Sequence, residues 1–190
     1  MKRTYTIEKF RRIVDSLRQR IPGVSITTDC IVGFCGETEE EFQNTLLAFR
    51  EIQFDQAFMF AYSPRHSTTA WDWPDDVPAD VKQHRLARLI ELQNDIGREK
   101  NRAHVGELVE VLVEGVSDKD PARLMGRTRT NKLVVFRAEA EALPSGSLAE
   151  VCTGEAFLWG FSGELVRPLK TPARPRVLIE LQPAGASASI

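Results

Sequence analysis

Apolar residues change period several times along the first third of the chain, and each change marks an element. Between Thr6 and Ile21 they fall at Phe10, Ile13, Val14, Leu17 and Ile21, the spacing of one helical face, and Pro22-Gly23 ends the run. From Val24 the period drops to two. Val24, Ile26, Thr28, Cys30 and Val32 alternate along a strand, while Ile31 and Phe34 make its other side apolar too, as expected of a strand covered on both faces. Gly33 to Glu37 turns the chain. Thr38-Glu39-Glu40-Glu41 then reads as a capping box opening a second helix that buries Phe42, Leu46, Phe49 and Ile52. A second strand lies in "DQAFMFAYSP" and stops at Pro64. The order helix, strand, helix, strand predicts parallel pairing through helical crossovers.

Residues 65–80 are polar and marked by prolines, the pattern of a long loop, although Trp71 and Trp73 set it apart from a plain linker. Val81, Leu86, Leu89, Ile90 and Ile96 predict a third helix from about Pro78 to Val105, with the remaining positions charged and exposed. At ~1.5 Å per residue it reaches about 40 Å, enough to join two domains. After Gly106 the style changes. "ELVEVLVEG", "LMGRTRT", "KLVVFR", "SLAEVCTGEAF" and "LWGFSGELV" are short strand-like runs punctuated by glycines. Five of them in about 60 residues predict a small closed or half-closed β-barrel of the OB-like kind. The predicted fold is therefore α/β followed by all-β. From Pro168 the composition turns to Pro, Ala, Gly and Ser, which predicts a disordered tail over 168–190.

Composition narrows the function classes. With 190 residues, 42% hydrophobic and 27% charged, the chain can bury a core in one or two domains. A net charge of −2 gives no global basic field, so a nucleic-acid partner has to meet a local basic patch. No apolar run approaches the roughly 20 residues of a membrane span, and "MKRTYTIEKFRR" lacks the apolar core of a signal peptide. The expected compartment is the cytoplasm, with no membrane partner. Cys30, Cys35 and Cys152 form neither a disulfide framework nor a C-x-x-C pair, and His66, His84 and His104 complete no metal pattern with them.

Two stretches carry candidate chemistry. The first is "SITTDCIVGFCGETEEEF", in which a strand breaks into a glycine turn and a helix start. In parallel α/β folds the loops after the strands form the ligand face, so Gly33, Phe34, Cys35, Gly36 and Glu37 would lie there, joined by Tyr62-Ser63-Pro64-Arg65 after the second strand. The second is "SDKDPARLMGRTRTNK", expected as the first loop of the barrel. It sets Lys119, Arg123, Arg127, Arg129 and Lys132 against Asp118 and Asp120, a local charge of +3. Strand alternation would project Arg127 and Arg129 from one face with Thr128 and Thr130 on the other, and Asn131 suits a turn or a base edge.

"TDCIVGFCGETEEEFQNTL", "FDQAFMFAYSPRHSTTA", "RLARLIELQNDIGREKN" and "VEVLVEGVSDKDPARLMGRTRTNKLVVF" together resemble the radical S-adenosylmethionine tRNA methylthiotransferases of the MiaB type, which act on isopentenyl-adenosine beside the anticodon. The likeness runs from Lys2 to about Val166. It implies that residues 1–104 are the later part of a TIM-like radical-SAM barrel and that 105–167 are a TRAM domain, an RNA-binding module. It also implies S-adenosylmethionine and two [4Fe–4S] clusters as cofactors and the tRNA anticodon stem-loop as partner. By resemblance Ile31, Val32, Gly33, Gly36 and Glu37 would flank the adenosine of S-adenosylmethionine, Tyr62 and Arg65 would face the active cavity, and Arg127, Arg129, Asn131 and Lys132 would contact tRNA.

Family members also carry three cysteines in an N-terminal domain and a C-x-x-x-C-x-x-C run in the barrel, and neither is found in this chain. Cys35 stands where the family usually has proline. The expectation is a C-terminal half that does not catalyse methylthiolation alone, with an N-terminal half as partner if the gene is split. The other expectation is a free-standing RNA-binding protein without catalysis.

Overall fold

A computed structural model describes residues 4–172. The elements run α1 (Ile7–Arg20), β1 (Thr27–Val32), α2 (Glu39–Ile52), β2 (Gln56–Ala61), α3 (Ala79–Ala103), β3 (Leu108–Ser117), β4 (Asp120–Thr128), β5 (Leu133–Arg137), β6 (Leu148–Phe157) and β7 (Gly160–Lys170), with a 3₁₀ turn at Thr69–Asp72. Strands β1 and β2 pair in parallel as a two-stranded sheet, Thr27 opposite Gln56 and Val32 opposite Ala61. The other five strands close into a barrel in the order β3-β4-β5-β7-β6. The sheet, the helices and the barrel are as the periodicity predicted.

Local signals explain the helix starts. Thr38 caps α2 and forms the expected capping box: its hydroxyl accepts from Glu41 N–H at 3.2 Å and Glu41 Oε2 accepts from Thr38 N–H at 2.9 Å. Phe42, Leu46, Phe49 and Ile52 lie on its buried side and share one core with Val32, Leu89 and Ile96. Each such burial stabilises by about 1.5–3 kcal/mol. A second core, with Val111, Leu124, Val134, Phe136 and Val151, fills the barrel.

Five expectations need correction. β1 is covered on one face only. Cys30 and Val32 face the helices, whereas Ile31, Phe58 and Phe60 on the opposite face are 37%, 51% and 54% exposed. The apolar stripe of α1 is likewise open: Val14 is buried and Phe10 packs on the core, but Ile13, Leu17 and Ile21 are exposed. The buried side of α3 is not purely apolar. Lys82, Arg85, Gln93 and Asn101 share it with Leu89 and Ile96, while Ile90 points to solvent. Residues 117–132 are not one loop: β4 begins at Asp120, so Arg123 and Arg127 are strand residues and Arg129 to Asn131 form the β4–β5 turn. Arg127 and Arg129 therefore do not alternate along one strand. β7 carries the barrel to Lys170, past the expected boundary at 167, and most of the expected tail lies outside the described residues.

Among the described residues, no helix is long and apolar enough to cross a membrane.

Candidate functional site

The C-terminal ends of β1 and β2 open on a groove of about 1080 Å³. Ile31, Phe34, Phe60, Tyr62, Arg65 and Trp73 line it. Its aromatic wall is built edge-on. Phe34 meets Tyr62 with ring centroids 4.9 Å apart and Trp73 at 5.8 Å, both in T-shaped contacts. The Tyr62 hydroxyl donates to the Ala70 carbonyl at 3.2 Å, which ties the groove wall to the 3₁₀ turn, and His66 stacks on Trp71 at 3.7 Å. Desolvation first, and then the neighbouring Cys35 and Asp75, hold the Tyr62 phenol above its ordinary pKa.

The turn between β1 and α2 is fixed from below by charge. Gly33 adopts φ 70°, the left-handed region, and the stem of Lys82 fills the space a Cβ would need. Gly33 N–H donates to Glu37 Oε2 at 2.6 Å. That same oxygen accepts from Arg85 Nη1 at 2.9 Å, and Arg85 also donates to the Glu37 carbonyl at 3.0 Å. Arg85 is 5% exposed, so the pair works where water screens it little. Beside it, Lys82 pairs with Asp75 and its Nζ lies 5.3 Å from the Tyr62 ring centroid. Gly36 N–H donates to Asp76 Oδ1 at 2.7 Å, so the long loop is pinned to the turn.

The predicted cofactor-facing residues therefore separate. Ile31 lines the groove with Tyr62 and Arg65. Val32 is fully buried in the core behind it, and Gly33, Gly36 and Glu37 form the floor that fixes the turn. Sequence reading missed Lys82, Arg85, Asp75 and Asp76. The first two sit three apart and on the same side as Leu89, a spacing that does point inward, but their charge argued for solvent. Of the cysteines, Cys30 has its thiol pushed up to about 11, by burial first and by the Glu37 carboxylate second. Among the described residues, no group of three or more His, Cys, Asp or Glu could hold a metal ion.

The basic segment forms a second candidate surface. Arg127 faces Glu114 at 3.5 Å and Arg129 faces Glu110 at 2.9 Å. Arg129 is 83% exposed, and such solvent-facing pairs contribute only about 0–1 kcal/mol, so either arginine can exchange its glutamate for a phosphate. Asn131 takes φ 61° in the turn, whose backbone is closed by Asn131 N–H donating to the Thr128 carbonyl at 2.9 Å. Lys132 lines one niche with Arg127 and Asn131 but is more deeply set. It is half-buried at the seam between barrel and sheet, donating to the Asp55 carbonyl at 3.4 Å; burial lowers its pKa, Asp55 opposes that shift and Lys100 adds to it. Trp159, exposed at the β6–β7 tip and lining a niche with Arg127 and Asn131, was not singled out from the sequence.

Comparison with known proteins adds a family context to this geometry. Residues 102–145 match the TRAM domain family. Over 166 residues the chain is 50% identical to the tRNA-2-methylthio-N(6)-dimethylallyladenosine synthase of Moorella thermoacetica, covering 87% of this chain and 37% of that protein. The synthase of the same name from Bacillus cytotoxicus is 47% identical over 87% of this chain and 32% of its own length. That of Thermoanaerobacter pseudethanolicus is 47% identical over 90% and 36%. The chain thus spans about a third of the length of the curated relatives it matches.

Proposed function

Since the chain is a homologue of the tRNA-2-methylthio-N(6)-dimethylallyladenosine synthases and carries a TRAM domain, we propose that it is the C-terminal portion of such an enzyme. In this reading the barrel holds the tRNA anticodon stem-loop, and the α/β unit is the closing part of a TIM-like radical-SAM barrel. The observation that carries it is the 50% identity across 87% of the chain, which includes both the groove and the basic turn. The open apolar face of β1 and β2 supports the partial barrel, because Ile31, Phe58 and Phe60 are exposed on the side that would line a barrel interior.

S-adenosylmethionine would supply the radical and the methyl group of the reaction. The groove suits its adenosine: Phe34 and Tyr62 offer aromatic surface and Ile31 an apolar side, while Val32, Gly33, Gly36 and Glu37 shape the turn from behind. The iron–sulfur clusters find no donor set among the described residues, so their cysteine ligands would come from other polypeptide, either upstream in the same protein or from a separate N-terminal half. Arg127 and Arg129 would meet phosphates, and Asn131 a base edge or sugar. Lys132 would act at the seam, close to Asp55.

The test uses the full chain and tRNA carrying N6-dimethylallyladenosine. Affinity is expected to fall with salt, and replacing Arg127 and Arg129 together by Ala should reduce the salt slope by about two. Alone, the chain should yield no 2-methylthio product, and product should appear when a polypeptide carrying the cluster cysteines is added. Absent or salt-independent binding would sink the tRNA-holding role. Product formed by the chain alone would sink the division of labour.

A further inference from the structure

Trp159 occupies the tip between β6 and β7 and is 60% exposed. Such a ring is ordinarily covered, and its backbone is held firmly enough for the exposure to be useful. On one side Asn101, buried in the last turn of α3, donates from Nδ2 to the carbonyls of Phe157 and Leu158 at 2.7 and 3.1 Å. On the other, Gly160 lies so close to the Leu133 carbonyl that no Cβ would fit, and Leu133 N–H donates to the Trp159 carbonyl at 3.3 Å. An aromatic ring on a fixed backbone loses little freedom when a ligand stacks on it.

Its surroundings name the ligand. Trp159 lines a niche of about 80 Å³ together with Arg127 and Asn131 of the barrel and Gln56 at the start of β2. Arg127, two side-chain amides and an indole are the groups that meet a phosphate, a base edge and a base face; the niche is also lined by Lys132, whose Nζ is engaged with the Asp55 carbonyl. The niche is too small to enclose a base, so a base would lie over the indole with only its edge reaching inward. In a duplex both faces of a base are already stacked, and an unpaired nucleotide alone can offer one.

We infer that Trp159 is a stacking platform for one unpaired nucleobase of an RNA loop, with Arg127 on the neighbouring phosphate and the amides of Asn131 and Gln56 at the base edge. The inference rests on the tRNA-holding role proposed above and deepens it, naming the subsite and fixing its ligand as single-stranded. It also gives the seam between the two units a task, since Gln56 and Trp159 come from different ones.

The full chain is titrated at several salt concentrations with an RNA stem-loop bearing an unpaired loop and with a fully paired RNA of the same length. Trp159→Ala is expected to weaken stem-loop binding roughly 5- to 150-fold while leaving duplex affinity and the salt slope unchanged. Trp159→Phe, which keeps an aromatic face, should regain most of the loss. Arg127→Ala should lower the slope by about one on both RNAs. Unchanged stem-loop affinity in Trp159→Ala would overturn the platform and leave the tRNA-holding role standing. Equal losses on stem-loop and duplex would also overturn it, by assigning Trp159 to the integrity of the barrel. If the unaltered chain binds neither RNA, both the platform and the role it rests on fall.

Discussion

The barrel and the α/β unit treat the same kind of apolar alternation in opposite ways. In the barrel each strand has two neighbours, β3 closing on β6, so alternate residues such as Val111 and Val113 or Val134 and Phe136 all point into one filled core. In the α/β unit β1 and β2 have only each other. Their helix-facing residues are buried, and Ile31, Phe58 and Phe60 stand on a face that nothing among the described residues covers. α1 repeats the asymmetry with Ile13 and Leu17. An apolar pattern thus reports what an element is suited to touch, and only closure, as in the barrel, guarantees that the same chain supplies it.

The largest expected effect follows from cutting the two units apart. Residues 105–170 should fold alone and melt cooperatively as a monomer, because their core and strand edges are satisfied internally. Residues 4–104 should associate or melt without cooperativity, since an unpaired strand edge and an open apolar face invite contact with other chains. Circular dichroism melts with size-exclusion chromatography check both. A monomeric, cooperatively melting 4–104 fragment would break the contrast and, with it, the partial-barrel proposal.

A smaller change, Arg85→Ala, probes the α/β unit within the intact chain. It would leave the Glu37 carboxylate, itself 12% exposed, without its cation. Removing one partner of a buried pair costs about 3–5 kcal/mol. Amide exchange should accelerate at Gly33 and along β1 and β2 while the barrel stays protected. The double variant Arg85→Met with Glu37→Gln should recover part of the loss, because no buried charge is then unpaired. Uniform acceleration through both units would mean that they share one cooperative core.

Much of this was legible because the signals were short-range. The Thr38–Glu41 capping box, the stripe Phe42, Leu46, Phe49 and Ile52, and the strand–turn–helix corner each depend on residues within a few positions of one another. The barrel was legible from the alternation and the glycines of its five runs, although β4 starts earlier than its apolar residues suggested, because Asp120 still pairs with Ser117. What sequence reading missed depends on partners far along the chain. Lys82 and Arg85 are inward only because Asp75 and Glu37 neutralise them there, and a periodicity that scores charge as exposed reverses such positions. Trp159 gains meaning only beside Arg127 and Asn131, which the barrel's closure brings to it. The strand–turn–helix corner itself was legible, but which of its side chains line the groove required the fold.

The two faces of β1 differ in a way that a mild change in pH exposes. Cys30 points to the helices and Ile31 to the open side, and burial has pushed the Cys30 thiol from 9.0 to about 11. A pKa raised in the folded state stabilises fully below the unfolded value. That contribution is lost as pH climbs from 9.0 toward about 11, where the unfolded chain has released the proton and the folded one has not. Across that window the expected loss is about 1.4 kcal/mol per pH unit. Other groups titrate there too, so the quantity to measure is the difference in urea midpoint between the unaltered chain and Cys30→Ala, followed from neutral pH into this range. The unaltered chain should lose stability faster than the variant. Parallel curves would mean that the thiol ionises as freely folded as unfolded, and that the helix side of β1 is as open to water as the side bearing Ile31, Phe58 and Phe60.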